Sequence, residues 1–148
     1  MFKKIVVGLD GSETSDRSLR LACDLAQKYE AELHLVHTPQ PQTVAFAMGA
    51  VAGYHAVTTM PHEQEVNAAA EKILAKGESV VRDCGQEVAQ SRSDRGDPAD
   101  NIVAYAKEVD ADLIVTGRRG LGTVGALVLG STTQRVNHLA ECACLSVV

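Results

Sequence analysis

Four short apolar runs, at 5–9, 33–37, 113–116 and 145–148, leave this chain little choice of architecture. They are rich in Val, Leu and Ile, and turn signals follow the first three, so they read as buried strands. Between the first two, residues 15–30 place Leu19, Ala22, Cys23, Ala26 and Tyr29 at helical spacing, with Asp16, Arg20, Asp24 and Lys28 on another face. A second helical stretch spans 62–84, with Val66, Ala69, Ala70, Ile73 and Leu74 in one stripe, Val80 and Val81 continuing it less regularly, and Gly85 as its stop. Residues 87–93 alternate weakly and suit an edge strand. Asp97 can cap a helix that begins at Pro98, where Asp100 complements the positive end and Ile102, Val103, Ala106 and Val109 recur at helical spacing. A last helix is expected over 131–141. Strand and helix thus alternate, and right-handed crossovers turn that order into a doubly wound parallel sheet, α/β, with helices on both faces.

The chain has 148 residues, 45% hydrophobic and 22% charged, which suits one water-soluble domain over 1–148. A net charge of −5 and the lack of any Lys/Arg run argue against a nucleic-acid partner. The basic, apolar start at 1–10 meets Asp10 too soon for a signal peptide, so the cytoplasm is the expected location and Cys23, Cys84, Cys142 and Cys144 are expected as thiols. The pair Cys142-Ala143-Cys144 lacks the further ligands of a zinc site and reads as strand thiols.

Residues 39–61 contain no Asp, Glu, Lys or Arg but carry Val44, Phe46, Met48, Val51, Tyr54, Val57 and Met60. Gln, Thr, His and Pro interrupt the run, which is not a membrane span. It is expected to have partial local structure, either as a contact surface for a partner or as a flap over the protein's own core.

Chemistry concentrates in residues 115–133, which leave the third apolar run and enter the last helix. In open parallel sheets ligands bind beyond the carboxyl ends of the strands, where the strand order reverses. Glycines let backbone approach an anion closely, and the free amides at a helix start around 130–133 favour a phosphate. Ser131 and Thr133 add hydroxyl donors, while Arg118 and Arg119 can supply charge to distal phosphates. Glycine content alone serves equally well for a surface loop with a capped helix. Neither a Walker A loop nor G-x-G-x-x-G is present.

The arrangement Gly117-Arg118-Arg119-Gly120, nine residues, Gly130-Ser131 resembles the G-x-x-G, nine residues, G-S/T signature of ATP-binding universal stress proteins. Residues 5–12, Ile-Val-Val-Gly-Leu-Asp-Gly-Ser, look like that family's opening strand and acidic turn, so the resemblance covers essentially the whole chain. It implies a five-stranded sheet of order 3-2-1-4-5, of the adenine nucleotide alpha hydrolase-like type. It also implies bound ATP, with or without Mg2+, and a homodimer through the last strand, with a tetramer of paired dimers as the alternative. By the same resemblance Asp10 engages the ribose or base edge, and Thr38 and Thr116 line the adenine pocket. Gly117, Gly120, Gly130, Ser131, Thr132 and Thr133 hold the phosphates, and Gly8 and Arg119 belong to the same set. For Asp10 the residues alone allow either a ligand contact or a helix cap, with Ser12 and Thr14 competing for the cap. The ending at 141–148 departs from the family's usual Pro near the Cys and more continuous apolar strand, and Ser146 there is expected to face a partner strand.

No nucleophile and base stand together in the sequence. His34 and His37, at odd separation along a strand, point to opposite faces and read as core or edge residues, and His138 lies too far along the last helix to reach phosphates at its start. The expectation is an ATP-binding regulator that acts through nucleotide-dependent conformation and contacts with a regulatory protein, with at most slow hydrolysis or autophosphorylation. The alternatives are a nucleotide-free dimeric interaction protein, and a nucleotide-transfer enzyme for which the length leaves little room.

Overall fold

The computed structural model describes residues 1–49, 60–118 and 129–148. Five strands, β1 (Lys4–Leu9), β2 (Glu32–His37), β3 (Val88–Ser93), β4 (Leu113–Gly117) and β5 (Ala143–Val147), form one sheet of order β3-β2-β1-β4-β5. Every pair is parallel, with Ile5 opposite both Leu33 and Leu113, and Ile114 opposite Cys144. The helices are α1 (Glu13–Tyr29), α2 (Pro41–Ala47), α3 (Glu63–Asp83), α4 (Pro98–Glu108) and α5 (Ser131–Leu139). Among the described residues no helix is long and apolar enough to cross a membrane.

Alternation along each strand divides the core in two. Ile5, Val7, Leu9, Leu33, Leu35, Leu113 and Val115 pack with Leu19, Ala22 and Ala26 of α1 and Val66, Ala69, Ile73, Val80 and Val81 of α3. On the other face Val6, Val36 and Ile114 meet Ala99, Ile102, Tyr105 and Ala106 of α4 and Val136 of α5. Both faces of β1 and β4 are therefore apolar, which is why these strands read as continuous runs. The strand at 88–93 is at the sheet edge, as its weak alternation predicts.

Element ends depart slightly from the sequence reading. Helix α1 starts at Glu13 rather than 15, because Ser12 Oγ accepts the Ser15 amide at 3.1 Å and the helix begins immediately after that cap. Helix α5 ends at Leu139 rather than 141, since Ala140 turns to extended geometry (ψ 140°) to enter β5. At the end of α3, Gly85 takes φ +74°, its amide bonds Arg82 O, and Gln86 N bonds Val81 O, a Schellman closure. The uncharged segment at 39–61 contributes α2, while its residues 50–59 lie outside the described set.

The two strand histidines do take opposite faces. His34 Nδ1 meets the Tyr105 hydroxyl at 2.9 Å, and that hydroxyl donates to Gln90 Oε1. The Tyr105 oxygen therefore accepts from His34 Nδ1–H. His37 donates Nδ1–H to Leu9 O at 2.8 Å. Tyr105, fully buried, is a core residue that the helical stripe did not reveal.

Candidate functional site

The C-terminal ends of β1, β2 and β4 open into a cavity of about 780 Å³, walled also by α2 and by the starts of α4 and α5. It lies where the strand order reverses between β1 and its neighbours, the position that open parallel sheets use for ligands. Gly8, Asp10, Thr38, Thr116, Gly117, Gly130, Ser131, Thr132 and Thr133 all line it, so residues more than 120 positions apart in the chain meet on one wall. Arg119 and Gly120 lie outside the described residues, as does 121–128 of the connecting loop.

Helix α5 presents its uncapped start to the cavity. Its N-cap is Gly130, which has no side chain to offer, and the first helical bond runs from Gln134 N to Gly130 O at 3.0 Å. The amides of Ser131, Thr132 and Thr133 consequently have no acceptor among the described residues, and the positive end of the helix dipole points into the cavity. Gly130 has φ −55°, a value open to any residue, so its backbone conformation does not require glycine. What glycine provides here is bare backbone at the cavity wall.

Thr133 differs from the sequence expectation. Its hydroxyl proton is donated to Gly117 O at 2.6 Å, so it ties α5 to β4 and is not free to donate to a ligand. The Ser131 hydroxyl is on an exposed residue at the same helix start. The glycine at 117 also has a packing reason, because a Cβ there would come within 3.1 Å of Thr14 Cγ2 and 3.3 Å of the Thr14 carbonyl carbon. At Gly8 a Cβ would stand 2.7 Å from Ile102 Cδ1, so glycine lets α4 close over β1.

Of the two roles that the sequence left open for Asp10, the helix cap falls to Ser12 instead. Asp10 Oδ1 accepts the Ser12 amide at 2.9 Å and shapes the turn, and Asp10 Oδ2 has no partner among the described residues. Thr38, only 5% exposed, accepts Asn101 Nδ2 at 2.9 Å, which leaves its own proton to donate. Side chains that the sequence reading missed complete the wall. Arg135 binds Asp97 Oδ2 at 3.3 Å and Asp100 Oδ1 at 2.7 Å, bridging α5 to the start of α4. Its place four residues after Ser131, on the same helix face, was the available signal. Gln40 and Gln42 flank the opening of α2. Arg135 is thus committed to two carboxylates, whereas the amides at the start of α5 have no acceptor among the described residues.

The universal stress protein family model matches residues 1–147. This chain belongs to that family. It is 31% identical to the universal stress protein YxiE of Bacillus subtilis, over 99% of each chain. Among solved structures it is similar to a universal stress protein in complex with cAMP, at TM-score 0.72 and 27% identity, over 99% of this chain and 97% of that one. It is also similar to the universal stress protein from Archaeoglobus fulgidus in complex with dAMP, at TM-score 0.68 and 25% identity, over 99% and 98%. The sheet order and flanking helices are those of the family's α/β fold.

Proposed function

We propose that this universal stress protein is an adenine-nucleotide-binding regulator that holds ATP in the cavity above β1 and β4. The observation that carries the reading is the set of unpartnered amides at Ser131, Thr132 and Thr133, aimed into a cavity whose opposite wall presents Asp10 and Thr38. The amides hold phosphate, Asp10 Oδ2 accepts from a ribose hydroxyl, and Thr38 and Thr116 border the base. Gly8 and Gly117 admit the ligand to the strand ends, and Arg119 and Gly120 complete the phosphate loop. Relatives that carry cAMP and dAMP support an adenine nucleotide as the class of ligand. Among the described residues no group of three His, Cys, Asp or Glu side chains is placed to hold a metal, so Mg2+ would arrive on the phosphates of the nucleotide.

Occupancy orders the wall around α5 and changes a surface read by a regulatory protein in the cytoplasm. The chain acts as a single domain and as a homodimer through β5, whose outer edge has no strand partner among the described residues. Turnover is expected to be slow, since the buried His34 and His37 are engaged in the core.

The test is to denature fresh protein, identify released nucleotide by chromatography, and titrate Mg-ATP, AMP and cAMP into wild type and Gly130→Asp. The variant fits the backbone at φ −55° and caps α5 with its own carboxylate, so it should fold at least as stably as wild type while losing about 10-fold or more in affinity. Equal binding by both proteins would remove the amides from the site. Binding by neither would leave a nucleotide-free dimeric interaction protein.

A further inference from the structure

Asn101 stands near the start of α4, and its side chain reaches across to the residue that follows β2. Nδ2 lies 2.9 Å from Thr38 Oγ1, 3.2 Å from Asp94 O and 3.1 Å from Arg95 O. Carbonyl oxygens only accept, so the atom that faces Asp94 O and Arg95 O must be the amide nitrogen, and the same nitrogen then donates to Thr38. Two backbone groups thus fix the sense of the Thr38 bond. The frame around Asn101 is tied to its neighbours on several sides. Asp97 caps α4 through the Ala99 and Asp100 amides, Asn101 N bonds Asp97 O at 3.0 Å, the Asp94 amide bonds His37 O at 3.2 Å, and Gln40 Nε2 holds Gly96 O at 3.0 Å.

We propose that Asn101 is a positioning residue of the cavity: it holds the Thr38 hydroxyl with its proton turned inward, where the hydroxyl selects a base edge that presents an unprotonated ring nitrogen. The proposal rests on the nucleotide reading given above. Thr38 lines the cavity and is 5% exposed, and with Asn101 on one lone pair of Oγ1 its proton has no acceptor among the described residues. A hydroxyl so nearly removed from water loses free energy when it faces a C–H, because the donor stays unpaired, while a ring nitrogen in the same place accepts it. Adenine, joined to ribose through N9, offers N1, N3 and N7 as acceptors.

The amide at 101 is what gives the hydroxyl this sense. A carboxylate there would take the Thr38 proton and leave a lone pair facing the cavity, and the preference for a ring nitrogen would be lost. Asn101 touches the base through Thr38 alone, so its effect should appear in the choice between bases and not only in overall affinity.

The test is calorimetric titration of the full-length protein with Mg-ATP and with its 1-deaza, 3-deaza and 7-deaza analogues, each of which replaces one ring nitrogen by C–H. Wild type should bind one analogue about 10-fold or more weakly than ATP and the other two within about twofold, since only one ring nitrogen meets Thr38. Thr38→Val, in which Asn101 Nδ2 keeps both carbonyls as acceptors, should bind ATP and that analogue alike. Asn101→Asp and Asn101→Ala should each narrow the gap to about threefold or less, and Asn101→Ala serves alone if Asn101→Asp fails to fold. A merely structural role would weaken ATP and every analogue by a common factor, and unchanged ratios in the folded Asn101 variants would overturn the proposal. So would a full gap in Thr38→Val, or ATP and all three analogues bound equally by wild type. No nucleotide bound by wild type would remove the nucleotide reading, and this proposal with it, whereas the other failures leave that reading standing.

Discussion

At the scale of one residue, the buried His37 is expected to make the fold sensitive to acid. It is 1% exposed, gives its Nδ1 proton to Leu9 O, and has no partner for Nε2 among the described residues. Burial holds its imidazole below the ordinary value near 6.5, opposed in part by the Leu9 carbonyl and the Asp10 carboxylate. The unfolded chain therefore binds the proton more readily than the folded one. Stability from this group is complete above pH 6.5 and declines as the pH falls from there toward the lowered folded value. Urea unfolding of wild type should show this decline, and His37→Gln, which keeps a donor for Leu9 O, should flatten it. An identical pH profile for the two proteins would show that other groups set the acid limit. Gly130 is the complementary case: its conformation is open to any residue, and its importance lies in what a side chain there would cover.

At the level of elements, the starts of α1, α4 and α5 at the cavity are not handled alike. Ser12 caps α1 and Asp97 caps α4 through bonds to the Ala99 and Asp100 amides, whereas α5 begins on a glycine and leaves its first amides to the cavity. The capped start of α4 was legible because Asp97-Pro98 combines a side-chain acceptor with a residue preset for the first helical position. The stripe on α3 was harder to read because Gly77 occupies a core position in it. A Cβ at 77 would sit 2.6 Å from Leu9 Cδ1 and 3.3 Å from Leu35 Cδ1, so glycine lets this 21-residue helix lie close on β1 and β2. Glycine within a helix ordinarily costs about 1 kcal/mol relative to alanine, and here close packing offsets that cost. Gly77→Val should destabilise the fold by about 1–3 kcal/mol in chemical denaturation, through overpacking against both leucines. A neutral result would mean that Leu9 and Leu35 repack freely.

For the whole molecule, the parallel sheet joins the two cores and places the cavity between them. A nucleotide held there touches β1, β2, β4 and the starts of α4 and α5 together, so binding should stabilise the global fold rather than one loop. At a free concentration of 100 times Kd the gain is about 2.7 kcal/mol. For a domain of this size that raises Tm by about 5–10 °C. Scanning calorimetry with and without saturating Mg-ATP should show the shift in wild type and not in Gly130→Asp. A shift of equal size in both would place the binding elsewhere.

What the sequence determined by itself was local and periodic: the buried strands, the amphipathic helices between them, the cap at Asp97 and the glycine spacing that carries the family resemblance. These follow from side-chain alternation and backbone restriction, which act between residues near one another in the chain. The tertiary structure decided whatever depends on residues far apart. It turned the Thr133 hydroxyl onto Gly117 and brought Arg135 to Asp97 and Asp100. It also buried Tyr105 against His34. Each of these contacts depends on how α4 and α5 are seated on a common sheet, and that seating is fixed by packing across both faces at once, which no single stretch of the chain encodes.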